Sequence, residues 1–169
     1  MTKSAIARYA GTGLRFTASS GSGHELVMDN KEGNTGPRPM EMILVGQAGC
    51  TAMDVISILQ KKRQEVTRYE VSVTADEHEG NPSYFTRADV VHLVEGPAVD
   101  EAAVRRAIEL SATKYCSVAA MLSAGTVELH HRYRIIGPNL PEPVEGEVLV
   151  TGPHADPERL GQPTTAAAG

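Results

Sequence analysis

The sequence predicts an α+β fold, and three observations carry that expectation. Three short apolar segments, AIARYA, LRFTAS and ELVMD, occupy residues 5–30, with GTG and GSG between them. That is the pattern of a small antiparallel meander with glycine-rich turns. Residues 36–63, GPRPMEMILVGQAGCTAMDVISILQKKR, run a long way with almost no charge in their middle, as a core helix does. Beyond them, stretches that alternate apolar and polar with period two flank a helical segment. The expected order is β-β-β-α-β-β-α-α-β.

Length and composition bound the function. A chain of 169 residues suffices for one domain with a substantial core. Hydrophobic residues make up 41% but aromatics only 4%, without Trp, so Leu, Ile, Val, Met and Ala must fill that core. A net charge of -5 argues against nucleic-acid and anionic membrane partners, which require a basic field. The basic run Lys61, Lys62, Arg63 reads as a solvated helix end, favourable at the C-terminal pole of the dipole. The start, MTKSAIARYAGTG, lacks a secretory apolar core, and the apolar run Met42 to Met53 is too short to cross a bilayer. A cytoplasmic protein is expected.

Each element has its own reason. DNKEGNTGPRP is polar and aperiodic, hence a loop expected to be mobile. The first helix begins near Pro39, because proline is tolerated in a first turn, and runs to about Gln64. Lacking any Lys or Arg in its centre, it is expected to be buried on nearly all sides, with a second subunit supplying cover. In RYEVSVTAD, Tyr69, Val71, Val73 and Ala75 share one face. The turn HEGNPS leads to a second strand, YFTRADVVHLVEG. Asp100 is a candidate N-cap for the helical stretch that follows. Ser111-Ala112-Thr113 weakens it, so two helices are expected to meet near Lys114–Cys116. TVELHHRYRII alternates Val127, Leu129, His131, Tyr133 and Ile135 against polar partners. From Gly137 the chain is rich in Pro, Gly and Glu. The expected organisation is one domain over 1–136 and a mostly disordered tail over 137–169, with one edge strand at GEVLV.

The cysteines are the chemically suggestive residues. No CxxC or Cys/His cluster with metal spacing exists, which leaves a structural pair or a redox pair. Cys50 shares an ideal-helix face with Ile43, Gly46, Gln47, Met53 and Asp54. Gly46 and Gly49 strip bulk from that stretch, as if another backbone approached closely. Cys50 therefore reads either as a small core residue or as a reactive thiol. Cys116 stands where a helix restarts, so unpaired N–H groups and the dipole would lower its pKa; a core cysteine beside a kink is the alternative. His130 and His131 face opposite sides of a strand and form no local metal site. Ser111 and Ser117 lack a nucleophile-elbow context, and GSG is a hairpin turn rather than a phosphate loop. Nothing supplies haem ligation or a flavin site, so no cofactor and no metal are expected.

The segments PMEMILVGQAGCTAMDVISILQKKRQEV and SATKYCSVAAML, taken together, resemble the OsmC and organic-hydroperoxide-resistance superfamily, above all its YhfA-type branch. The resemblance runs from about Ala5 to Ile136. It implies an intertwined homodimer in which strongly curved antiparallel sheets wrap two long central helices. It also implies a thiol peroxidase for organic hydroperoxides, acting in oxidative-stress defence. Cys50 would then be the peroxidatic cysteine and Cys116 the resolving one, with a dithiol such as a lipoylated or thioredoxin-like protein reopening the disulfide. Met40, Ile43, Met53 and Met121 would form an apolar wall for the peroxide.

Active members hold the cysteine with an N-terminal arginine and a glutamate just after the helix-starting proline. Here Met40 follows Pro39 and the carboxylate comes one place later, at Glu41. On an ideal helix Glu41 projects roughly opposite Cys50, at about 100° per residue. Arg8, Arg15 and Arg38 are candidates for the arginine, and Arg38 is nearest in sequence. The competing reading is a non-catalytic dimer that binds or senses a hydrophobic or thiol-reactive small molecule in an interfacial cleft.

Overall fold

The structure is a computed structural model, and it describes residues 2–125 and 127–150. The chain divides into two compact units, Met1–Val45 and Gly46–Gly169, with the boundary inside the first helix. The predicted tail from residue 151 onward lies outside the described residues.

In the N-terminal unit, β1 (Ala5–Tyr9), β2 (Phe16–Ser20) and β3 (Glu25–Met28) form an open antiparallel sheet in that order. Gly11 and Gly23 turn its hairpins at a φ of 86°, which costs residues with a Cβ heavily. The following loop is held by Asp29, whose carboxylate accepts from the Asn30 N–H at 2.8 Å and the Thr35 hydroxyl at 2.6 Å.

Helix α1 (Pro39–Lys61) begins where the proline predicted. Its buried residues are Gln47, Thr51, Val55 and Leu59, one stripe at a spacing of four. Burial on all sides is not what the chain provides. Met53 is 74% exposed and Val45 57%, and a Cβ added at Gly46 or Gly49 would meet nothing within 4 Å. The close backbone approach that those glycines suggested is therefore not made among the described residues. At 23 residues, α1 is by length and apolarity alone capable of crossing a membrane, longer than the apolar run seen in the sequence.

In the second unit, β4 (Arg68–Glu77), β5 (Phe85–Glu95), β6 (Glu128–Ile136) and β7 (Val144–Val150) form one sheet in sequential order. Strands β4–β5 and β6–β7 pair antiparallel, but β5 and β6 are parallel. The expectation of strongly curved antiparallel sheets is thereby corrected. Both sheets are open and uncurled, and the larger is mixed. The reason is the connection: β5 reaches β6 through a long helical crossover, which returns the chain in the same direction. That crossover comprises α2 (Glu101–Leu110), a π-helical turn (Ser111–Tyr115) and α3 (Ser117–Ser123). Asp100 caps α2, its side chain accepting from the Ala102 N–H.

Alternation places Ala88, Val90, His92 and Val94 of β5 on the buried face with Leu129, His131, Tyr133 and Ile135 of β6. Val104, Ala107 and Ile108 of α2 are buried with them. The Tyr133 hydroxyl donates to Glu101 on α2 at 2.5 Å; across the ladder lies Gly146, where a Cβ would collide with that hydroxyl.

One buried feature is polar. The Tyr69 hydroxyl bonds His92 Nδ1 at 2.8 Å, and His92 Nε2 bonds His131 Nδ1 at 3.3 Å, linking β4, β5 and β6. His131 Nε2 is buried without a partner among the described residues. Burial holds His92 well below the usual 6.5 and takes His131 to about 4. The unfolded chain binds protons near pH 6.5 that the folded chain refuses, so the stability tied to neutral imidazoles is complete above that pH. It is lost as pH falls toward 4. Denaturant midpoints measured across pH 7 to 4 are expected to fall, with a shallower slope in His131→Leu.

Candidate functional site

Helix α1 and the start of α3 bring two sulfurs together. Both cysteines are free thiols; Cys50 is half-buried and Cys116 is 2% exposed. Their sulfurs and a carboxylate oxygen of Asp54 all lie within 4.8 Å of one another. Cys50 and Asp54 are four apart on α1 and so share a face.

The π-helical turn positions Cys116. Its amide donates to the Ser111 carbonyl at 2.8 Å, five residues back, which closes a wider turn than an α-helix would. The backbone then leaves helical geometry at Cys116 (φ -70°, ψ 103°) and α3 starts at once. The helix break therefore falls where Ser111–Thr113 weakened the pattern. Cys116 itself acts as the N-cap, its Sγ accepting from the Ala119 N–H at 3.3 Å, in place of the usual side-chain oxygen.

A polar chain on α1 supports the sulfur. The Gln47 amide donates to Thr51 Oγ1 at 3.0 Å, and the Thr51 hydroxyl donates to Cys116 Sγ at 3.6 Å. Gln47 Oε1 is buried without a donor among the described residues. Beside this chain, the Ser111 hydroxyl donates to Asp54 Oδ2 at 3.1 Å.

The helix-start argument for an activated Cys116 is overturned. Burial, first, and the neighbouring Cys50 push its thiol up to about 11, from an ordinary 9.0. The Ala119 N–H and the Thr51 hydroxyl pull the other way and do not compensate. Desolvation acts on the whole charge, whereas a seven-residue helix offers one N–H to it. The Asp54 charge reaches further: together with burial, the larger cause, it raises the Tyr69 phenol above its usual value. The site is thus electrostatically joined to the Tyr69–His92–His131 chain.

Arg38 and Glu41 belong to the N-terminal unit and pair with each other. The Glu41 carboxylate also accepts the Arg38 N–H at 2.9 Å, half of a capping box at the start of α1. In the same unit, Arg8 donates to Ser19 Oγ at 3.3 Å, and the Arg15 carbonyl accepts the Ala10 N–H in the first hairpin. Of the predicted apolar wall, Met53 and Met121 are surface residues, 74% and 69% exposed; Ile43 is also exposed and Met40 half-buried. Sequence reasoning missed Gln47, Thr51 and Ser111 as supports for the thiols. The available signal was two uncharged polar residues four apart in the otherwise apolar run from Met42 to Met53. The contact of His92 with His131 was also missed, because strand pairing across a crossover cannot be read from spacing.

The family described as OsmC-like protein matches residues 31–131, more than half of the chain. The chain belongs to the OsmC family. Protein YhfA of Escherichia coli (strain K12) is 46% identical over 124 residues, 73% of this chain and 92% of that protein. A solved structure of a hypothetical protein from Aquifex aeolicus VF5 is 27% identical with a TM-score of 0.72, over 82% of this chain and 99% of that one. An organic hydroperoxide resistance protein from Elizabethkingia anophelis shares the fold, with a TM-score of 0.59 at 13% identity, over 81% and 96% of the two chains. Membership of this OsmC family supports a soluble, non-membrane protein. The proximal cysteine pair suits redox chemistry of the kind associated with the OsmC family.

In a Cys50→Ser variant, thiolate absorbance should report one titrating cysteine with a midpoint clearly above the ordinary 9.0. Adding Thr51→Val, which removes the hydroxyl donor, is expected to move that midpoint higher. A midpoint below the ordinary value would contradict the burial argument.

Proposed function

We propose that the protein is a thiol-dependent peroxidase that reduces organic hydroperoxides through a two-cysteine cycle. The observation that supports this reading best is the asymmetry of the pair. Cys50 is half-exposed, Cys116 is buried, and the two sulfurs are within reach of each other. In the first step Cys50, as thiolate, attacks the distal peroxide oxygen. The O–O bond breaks, the alkoxide takes a proton and leaves as the alcohol, and Cys50 becomes a sulfenic acid. Cys116 then attacks the Cys50 sulfur, hydroxide departs as water with the Cys116 proton, and a disulfide forms. Asp54 is the nearby carboxylate that can hold this proton in transit. A cytoplasmic dithiol, lipoylated or thioredoxin-like, supplies the two electrons that reopen the bond. Arg38 and Glu41 enter as positioning residues, since their pair caps the helix that carries Cys50.

The active form in this reading is a homodimer. Its support is the apolar surface of α1 and α3, with Met53 and Met121 exposed and open space at Gly46 and Gly49. Those same residues suit a non-catalytic dimer that binds a hydrophobic molecule, and turnover separates the two readings. Reduced protein is mixed with one equivalent of an organic hydroperoxide and sampled by intact mass and peptide mapping. A Cys50–Cys116 disulfide should form in the wild type, Cys50→Ser should abolish peroxide consumption, and Cys116→Ser should stop at a trappable sulfenic acid. Thiols that oxidise no faster than free cysteine would sink the peroxidase reading.

Self-association is tested by sedimentation of Gly46→Ala/Gly49→Ala. Replacing a helix-interior glycine by alanine favours the helix by about 1 kcal/mol. If a partner backbone occupies the open space, the double variant should nevertheless dissociate more readily than the wild type. Unchanged association would place the interface elsewhere.

A further inference from the structure

We propose that the reduced pair Cys50 and Cys116, together with Asp54, is a binding site for a soft divalent cation of the zinc kind. Two sulfurs and one carboxylate oxygen converge, all within 4.8 Å of one another. In a tetrahedral zinc site, with metal–ligand bonds of about 2.0–2.3 Å, such donors stand roughly 3.5–3.8 Å apart. Contraction by small side-chain rotations closes the site around an ion. A carboxylate oxygen beside two sulfurs is a donor set that zinc accepts. Two thiolates exclude magnesium and calcium in favour of zinc or cadmium, and three protein ligands leave a fourth position for water.

The surroundings fit this use. Asp54 is oriented by the Ser111 hydroxyl at 3.1 Å, and Cys116 by the Thr51 hydroxyl at 3.6 Å and the Ala119 N–H at 3.3 Å. Such outer hydrogen bonds fix the ligands of metal sites. A second observation points to a polar guest. Gln47 donates to Thr51, which contacts Cys116, yet Gln47 Oε1 is a buried acceptor with no donor.

Binding balances as one divalent ion plus two thiols giving one dithiolate complex plus two protons, with no electrons moved. Affinity therefore rises with pH. The ion and the disulfide compete for the same sulfurs, so bound metal shields the thiols from oxidation and oxidation expels the metal. The inference needs only the reduced thiols and does not depend on the peroxide reading.

The test titrates the reduced full-length protein with zinc against a chromophoric chelator, and with cadmium while following thiolate-to-metal charge transfer. The wild type should bind one ion per chain with a charge-transfer band and release protons. Cys116→Ser and alkylated wild type should lose the band, and Asp54→Asn should bind at least about tenfold more weakly. Circular dichroism establishes that each variant is folded. Absence of the band, or equal affinity in wild type, Cys116→Ser and Asp54→Asn, overturns the proposal and assigns binding to surface groups. These readouts contain no peroxide. A protein that binds cadmium but consumes no hydroperoxide would defeat the proposed function alone, and the converse result would defeat this proposal alone.

Discussion

Cys116 lies where it does because a buried contact holds it there. The hydroxyl of Thr51 on α1 reaches its sulfur, while the Ala119 N–H in the first turn of α3 bonds the same atom. That sulfur is at once the cap of a short helix, the acceptor of a core hydrogen bond and one member of a thiol pair. Each demand constrains the others. Capping needs non-helical backbone at Cys116, which the π-helical turn supplies by ending at Tyr115. The hydrogen bond needs α1 to present a small hydroxyl at that point, and Gln47 holds the hydroxyl in turn. An alanine at 51 would leave Gln47 and Cys116 without their shared partner in a place that water does not readily reach, where unmet hydrogen bonds are costly.

Much of the fold was legible because its signals are local. Period-two alternation in 68–77 and 128–136 needs no knowledge of the rest of the chain, nor do Pro39 at a helix start or Asp100 at a cap. The sheet geometry was not legible. Whether β5 and β6 run parallel depends on the path of the crossover between them, and nothing in either strand encodes it. The expected curvature came from resemblance, and the open mixed sheet shows where that expectation failed. Among the described residues one stripe of α1 is covered, and the rest of its expected cover was assigned to a second subunit. Low charge says that a face tolerates cover, but not whether the same chain provides it.

The site was half legible. Two cysteines in a chain of this size invite pairing, and the helix break near Ser111 located one of them. The missing half was the balance of forces on Cys116. Its sequence context, at a helix start, argued for an easily ionised thiol. The folded context removes nearly all solvent from it, and desolvation outweighs one N–H and one hydroxyl. Burial is a property of the assembled elements, so no local motif could have revealed the sign of that shift. Arg38 and Glu41 illustrate the converse. A carboxylate placed three residues after the residue that precedes a helix has a structural use in capping, whatever else it does.

The asymmetry of the two thiols also orders any chemistry they share. A reagent arriving from solvent meets Cys50, because Cys116 offers it almost no surface. Once ionised, a thiol of raised pKa is the stronger nucleophile, but so little of Cys116 is ionised near neutral pH that its attack on an oxidised neighbour is slowed. The same property makes it a poor leaving group. An external dithiol attacking the accessible sulfur of a Cys50–Cys116 disulfide would have to expel Cys116 thiolate into the environment that disfavours its charge. In the proposed cycle, burial therefore opposes both steps, keeping Cys116 protonated during closure and disfavouring its expulsion on reopening. Thr51 and the Ala119 amide are the groups that ease that expulsion, since both donate to the sulfur as its charge appears. The hydrogen bonds that fail to activate Cys116 at rest are thus the ones that stabilise it as it departs.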